Sequence, residues 1–208
     1  MKSRILITLF LVVAATFSVA ATDRFFIEDF TIQRGQNAQV EILLDNETQY
    51  TAFQADLYLP DGLTIVDGSF ALTSRKAADH TLSTSILPDG AIRLMSYSMR
   101  VNAYKGNSGT LVTFQVTASE TLNIPATVAL KNILFTSTAG TETVFANTQC
   151  TIYLVGDVNG DGLVNIADVT SLIDLLLANS EWSAKADVNG DGNISIADVT
   201  TLIDMLTK

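Results

Sequence analysis

Residues 157–177 read DVNGDGLVNIADVTSLIDLLL, and residues 187–207 read DVNGDGNISIADVTTLIDMLT. The offset is 30 residues, and 15 of the 21 aligned positions are identical. Each copy opens with alternating oxygen-bearing side chains and runs into an apolar stretch with helical spacing, Val169, Leu172, Ile173 and Leu176 in the first and Val199, Leu202, Ile203 and Leu206 in the second. No other feature constrains the chain as much. A single short helix cannot bury its apolar stripe alone, whereas two can bury theirs against each other.

The oxygen atoms have a regular spacing. In the first copy Asp157, Asn159, Asp161, Asn165 and Asp168 occupy loop positions 1, 3, 5, 9 and 12, and Gly162 occupies position 6. In the second, Asp187, Asn189, Asp191, Ser195 and Asp198 do the same around Gly192. This is the spacing of an EF-hand calcium loop, in which the glycine permits a sharp turn and position 7 offers its backbone carbonyl, here from Leu163 and Asn193. Position 9 ligates directly or through water. Position 12 carries aspartate where the usual loop has glutamate, so the helix start must lie closer to the ion, and the denticity of Asp168 and Asp198 stays open. The competing explanation is a pair of Asx-rich turns that cap helices without metal. Recurrence at a fixed period favours two Ca2+ ions, and magnesium, which resists losing its water shell, is a poorer fit. Folding of this end is expected to depend on the ion.

Upstream the period changes to two. Val40 and Ile42 alternate with Gln39 and Glu41, and Phe53, Ala55, Leu57 and Leu59 alternate with Gln54, Asp56 and Tyr58. Pro60-Asp61-Gly62 and Pro88-Asp89-Gly90 supply turn chemistry, and further strands are expected at 109–118, 127–135 and 143–154. Eight or nine short strands predict a two-sheet antiparallel sandwich. The fold class is therefore multidomain, an all-β sandwich over 21–155 followed by a small all-α module over 156–208. Ahead of both, Lys2 and Arg4, the apolar run Ile5–Phe17 and the small residues Ser18-Val19-Ala20 form an expected signal peptide over 1–20. The run is shorter than the ~20 residues that span a bilayer, so export is expected, to the cell exterior, the cell surface or the periplasm, without membrane insertion after cleavage.

At this point two resemblances enter. Gly156–Lys208 resembles a type I dockerin, with two loops of the form D-x-N-x-D-G-x-x-N/S-x-x-D, each followed by a helix, and a linker containing Trp182. Dockerins are non-catalytic modules that bind cohesins and assemble polysaccharide-degrading complexes. The resemblance implies partner-binding residues at Ile166 and Ala167 and at Ile196 and Ala197, continuing to Ile173 and Asp174 and to Ile203 and Asp204. It does not carry over a partner's identity, because these residues differ from the hydroxyl and basic pairs common in some dockerins. The segments IQRGQNAQVEILLDN, TAFQADLYLPDGLTIVDG and GTLVTFQVTA resemble cohesin strands in order and character. The function implied is an exported adaptor that docks on a cohesin-like protein module.

Composition narrows the alternatives. The formal net charge is −10, and the residues from Gly156 onward carry nine acidic side chains against two lysines. Such a chain is not expected to bind nucleic acid by bulk electrostatics. The lone Cys150 excludes an internal disulfide and is expected to be a buried thiol, while the lone His80, beside Asp79, is expected in a surface loop. A sandwich that binds polysaccharide through Tyr50, Tyr58, Tyr97 or Tyr104 remains the alternative, because sugar rings stack on exposed aromatics. Catalysis is not expected. Asp56 and Asp61 are the candidate carboxylate pair of a glycosidase only in the sense that any two acids are, and no nucleophile motif, histidine cluster or phosphate loop accompanies them.

Overall fold

The computed structural model describes residues 23–178 and 183–207. The expected leader and Trp182 lie outside the described residues. Twelve strands precede two helices: β1 (Arg24–Phe26), β2 (Phe30–Ile32), β3 (Asn37–Asp45), β4 (Tyr50–Tyr58), β5 (Leu63–Ile65), β6 (Ala71–Leu72), β7 (His80–Ile86), β8 (Ile92–Ser98), β9 (Thr110–Ala118), β10 (Ala126–Ser137), β11 (Glu142–Val144), β12 (Thr148–Leu154), α1 (Ile166–Leu177) and α2 (Ile196–Leu206). None of the helices among the described residues is long and apolar enough to cross a membrane.

The strands form two sheets. One runs β1-β3-β9-β5 with β6 also on β9, and the other runs β2-β12-β10-β4-β8-β7 with β11 on β10. The alternation read in β3 and β4 is real, since Val40, Ile42 and Leu44, and Phe53, Ala55 and Leu57, are all buried. Phe25, Tyr50, Phe53, Phe135 and Phe145 fill the centre, with ring centroids 4.5 to 5.5 Å apart in pairs such as Phe135–Phe145 and Tyr50–Phe145. Full burial of each such side chain contributes about 1.5–3 kcal/mol. Sequence had suggested uniformly antiparallel pairing, yet β2 lies parallel to β12, with Phe30 opposite Ile152. The expected strand at 143–154 is two. Phe145 turns into the core, and Asn147 accepts a hydrogen bond from the Asn132 amide, so the chain leaves the ladder between β11 and β12.

Two other expectations change. His80 is not a surface loop residue; it opens β7, is buried, and stacks on Tyr104 with centroids 4.2 Å apart, its Nδ1 accepting from the Ala77 amide. Burial holds its imidazole below the ordinary pKa. Asp56 does sit on the outward side of β4, but it is fully buried beneath Arg93, whose Nε and Nη2 donate to it at 2.7 and 2.8 Å, and Asn132 Nδ2 donates at 2.8 Å. Cys150 is buried as expected, which pushes its thiol up to about 12.

The helices build a second, separate core from Val158, Val169, Leu172, Ala186, Val188, Val199 and Leu202. Strand β12 leads into it through Gly156, which has φ +87°.

Candidate metal centre and docking face

Each acidic loop is a small cage of hydrogen bonds around its first and last aspartates. Asp157 Oδ1 accepts from the amides of Gly160 and Asp161 at 2.8 and 3.0 Å, and its Oδ2 accepts from Gly162 at 2.9 Å. Gly162 reaches that position with φ +85°, and Gly192 does so with φ +84° in the second loop; both lie in the left-handed region that glycine tolerates best. Asp168 closes the ring, with Oδ1 accepting from the Asn159 amide at 3.1 Å and Oδ2 from Asn165 at 2.8 Å. Asn165 is also the N-cap of α1, accepting from Ala167, which makes Asp168 the reciprocal half of a capping box.

The second loop repeats this. Asp187 accepts from Asp191 and Gly192 at 3.0 and 2.8 Å, Asp198 accepts from Asn189 at 3.1 Å and from Ser195 at 2.8 Å, and Ser195 caps α2. Asp191 is held below the usual carboxylate range by the Asn193 amide and then by Asn189. One difference separates the loops. Asp157 is fully buried, whereas Asp187 is half-buried.

Charge balance shows what these loops lack. Asp157, Asp168 and Asp198 have no exposed surface, yet among the described residues the ion pairs are Arg24–Asp45 and Arg93–Asp56, neither of them in a loop. Backbone amides and the helix N-termini stabilise these carboxylates, but among the described residues no cationic side chain neutralises them. Among the described residues no three histidine, cysteine or acidic side chains gather closely enough to hold an ion by themselves. The other oxygens that the two loops carry are the amide oxygens of Asn159, Asn165 and Asn189, the Ser195 hydroxyl and the carbonyls of Leu163 and Asn193. An all-oxygen set of carboxylates, amides and carbonyls is the chemistry of a hard divalent cation.

The residues singled out for partner contact stand on the opposite side of the helices from the core. Ile166 and Ile196 are 71 and 72 % exposed, and Ile173 and Ile203 are 40 and 43 % exposed. Ala167, Asp174, Ala197 and Asp204 are exposed as well. Ile173 and Ile203, read as part of the helical stripe, therefore leave the core, which takes Val169 with Leu172 and Val199 with Leu202. Leu177, 80 % exposed, extends the outer face of α1 and was missed by sequence reasoning. The signal was present, because Ile166, Thr170, Ile173 and Leu177 follow helical spacing around a second arc.

The aromatic and acidic alternatives are dispersed. Tyr50 and Tyr104 are buried in the sandwich core. Tyr58 donates to Asp89 at 2.9 Å under the Lys131 ammonium, which leaves Tyr97 as the exposed member of the four. Asp56 is locked to Arg93 and Asn132, while Asp61 belongs to the turn after β4.

Comparison with known proteins agrees with this geometry. Residues 155–207 match the family model described as "Dockerin type I domain". The sandwich has the cohesin fold. A non-cellulosomal cohesin from the hyperthermophilic archaeon Archaeoglobus fulgidus superposes with TM-score 0.52 at 15 % identity, covering 67 % of this chain and 96 % of that one. The sixth cohesin of scaffoldin B from Acetivibrio cellulolyticus, solved in complex with a dockerin mutant, gives TM-score 0.51 at 14 % identity, covering 64 and 99 %. A cohesin–dockerin complex from Clostridium thermocellum gives 0.51 at 11 % identity, with the same coverage. A comparison with curated protein sequences finds no match.

Proposed function

We propose that this protein is an exported, non-catalytic adaptor whose C-terminal end binds two calcium ions and docks on a cohesin-like module of another protein, in an extracellular complex that degrades or adheres to polysaccharide. The observation that carries this reading is the pairing of buried carboxylates that have no cationic side-chain partner among the described residues with solvent-facing isoleucines on the two short helices that the loops start. Asp157, Asp161 and Asp168 in one loop, and Asp187, Asp191 and Asp198 in the other, hold the ion together with their amide, hydroxyl and carbonyl neighbours. Bound calcium supplies the positive charge that the loops lack. Asn165 and Ser195 then start α1 and α2 at fixed angles, and the shared core of Val169, Leu172, Val199 and Leu202 sets the two outer faces. Ile166, Ala167 and Ile173, with their counterparts Ile196, Ala197 and Ile203, form apolar patches of the kind that mark a protein contact. Asp174 and Asp204 give each patch a charged rim. The sandwich offers a second surface on β8, where Met95 and Tyr97 are exposed.

Calcium calorimetry on residues 21–208, followed by circular dichroism in chelator, tests the reading. Two ions are expected, with loss of the helical signal and of cohesin binding in chelator while the sandwich stays folded. Asp157→Ala with Asp187→Ala should reproduce the chelator. A chain that takes up no calcium, or keeps its helices in chelator, would show the reading to be wrong.

A further inference from the structure

The duplicated loops are internal controls for each other. Residues 157–168 and 187–198 differ in sequence only at Leu163 and Asn193, Val164 and Ile194, and Asn165 and Ser195. They share their positive-φ glycines and their capping boxes. Their surroundings differ. Asp157 is fully buried and Asp187 is half-buried. Gly160 and Gly162 are half-buried, whereas Gly190 and Gly192 are exposed. A Cβ on Gly160 would stand 3.3 Å from Lys185 Nζ, and one on Gly162 would stand 3.4 Å from the Ile124 carbonyl oxygen. The same atom on Gly190 or Gly192 would meet nothing within 4 Å.

What covers the first loop belongs to a seam with the sandwich. Ile124 lies in the connection from β9 to β10. Lys185 stands two residues before the second loop, yet its ammonium reaches back over the first and lies 4.8 Å from the centre of the Tyr153 ring on β12. A cation above an aromatic face is attracted to it. The cleft around this contact, about 560 Å³, has Lys185, Glu28 and Asp29 as its charged lining, so the sandwich side offers the ammonium a ring and two carboxylates. The loop is also tied to the sheet at its start. Val155 N donates to the Ile32 carbonyl at 3.2 Å, and Asp157 N donates to Leu154 at 3.0 Å. The Asp187 amide donates instead to Ser183, outside any strand.

We propose that the sandwich makes the two calcium sites unequal, an inference that rests on the calcium reading above. The first loop, tied at Asp157, backed at Gly162 by Ile124 and covered at Gly160 by Lys185 over Tyr153, holds its ion more tightly and releases it slowly. The second loop lacks this cover at its glycines and empties first, and the support of Ile196 and Ala197 at the start of α2 goes with its ion. Two effects set this direction. Attraction between an ion and a carboxylate is screened less where water is kept out. A loop already held by a folded sheet has less freedom to lose on binding. Repulsion between Lys185 and the ion works the other way, but Glu28 and Asp29 beside the ammonium offset its charge.

Stopped-flow mixing of calcium-loaded residues 21–208 with excess fluorescent chelator reads each ion as it leaves. Two phases are expected, with rates at least about tenfold apart. Asp161→Asn and Asp191→Asn, at the exposed fifth position of each loop, mark the sites: the first should speed only the slow phase, and the second only the fast one. Tyr153→Leu removes the ring without changing charge, and should speed the slow phase about twofold to fivefold while leaving the fast phase alone. Two bound ions that leave in a single phase overturn the inference and leave the calcium reading standing, and so does a slow phase that responds to Asp191→Asn. Phases untouched by Tyr153→Leu overturn it too, and assign the difference to Asn165 against Ser195. A chain that takes up no calcium ends the calcium reading, and the inference with it.

Discussion

Arg75 has little exposed surface and, among the described residues, no carboxylate in ion-pair contact, so its contribution is set by the backbone it serves. Its guanidinium donates to the carbonyls of Leu44, Gly109, Lys105 and Gly106 at 2.6, 2.8, 2.8 and 3.2 Å, and to Asn46 Oδ1 at 2.7 Å. These acceptors belong to the end of β3 and to the loop before β9, where the remaining backbone bonds across are those from the Leu44 and Asn46 amides to Gly109 and Asn107. Arg75→Met keeps most of the stem but strands the acceptors, and should cost about 3 kcal/mol in urea unfolding. Arg75→Lys should recover little of it, because an ammonium cannot reproduce the planar fork. A loss under about 0.5 kcal/mol for the methionine variant, the range of ordinary surface changes, would reject this role. Asp56 is the complementary case. Arg93, more than any other cause, holds its carboxyl below the ordinary range, so the folded state binds this proton less tightly than the unfolded chain. Its contribution is therefore complete above the unfolded value near 4 and is lost as pH falls through the lower folded value. Asp56→Asn should flatten the acid limb of stability measured in excess chelator and leave the limb above pH 7 parallel to wild type. An unchanged acid limb would assign the pH dependence to other carboxylates.

At the scale of elements, the join between sandwich and helices rests on Gly156. A Cβ there would stand 2.9 Å from Leu202 Cδ1 and 3.0 Å from Val164 Cγ1, on a backbone with φ +87°. Gly156→Ala combines left-handed strain with displaced core side chains, and should destabilise the calcium-loaded helices by roughly 2 kcal/mol. The sandwich transition should not move, and two melts followed separately by helical and aromatic dichroism check both halves of that statement. The neighbouring elements show which parts of the molecule can be read in a one-dimensional pattern. Strands β3 and β4 were legible because one face is buried, while the other is solvated in β3 and only half-buried, Asp56 apart, in β4. The loops and their helix starts were legible because the spacing of their Asx residues and glycines is itself a linear code for the turn. The parallel partner of β2 was not, since Phe30 and Ile152 meet only through tertiary folding across the whole sandwich. The burial of Asp56 depends on Arg93 and Asn132, which arrive from β8 and β10, and His80 is enclosed by Tyr104 for the same reason. In α1, Ile173 satisfies helical periodicity as well as Leu172 does. A second apolar arc separates from the first only when the partner helix shows which arc it covers.

The whole molecule presents its duplicated end with both copies open, and this decides between two accounts of the repeat. Ligand chemistry does not require Ile166 and Ile196 to match, because their side chains hold no oxygen. Duplication with both isoleucines buried would explain the identity through packing, but more than two thirds of each side chain is exposed. The sandwich does not obstruct either copy, since both are exposed to nearly the same degree in the same chain. Under the proposed function, two equivalent patches related by the repeat would offer one partner two ways to dock. Charging one of them removes one way, and if the two are equal in strength this halves the association constant, about 0.4 kcal/mol. Charging both leaves none. Ile166→Arg and Ile196→Arg are therefore each expected to weaken cohesin binding by roughly twofold to threefold, a few tenths of a kcal/mol, and the double variant to abolish it. Both positions face solvent, so calcium affinity and melting temperature should hold in all three variants. Affinity and melting measured on the same preparations separate docking from folding. Full loss of binding from Ile166→Arg alone, in a chain that still takes up calcium and melts as wild type, would mean that only one face docks.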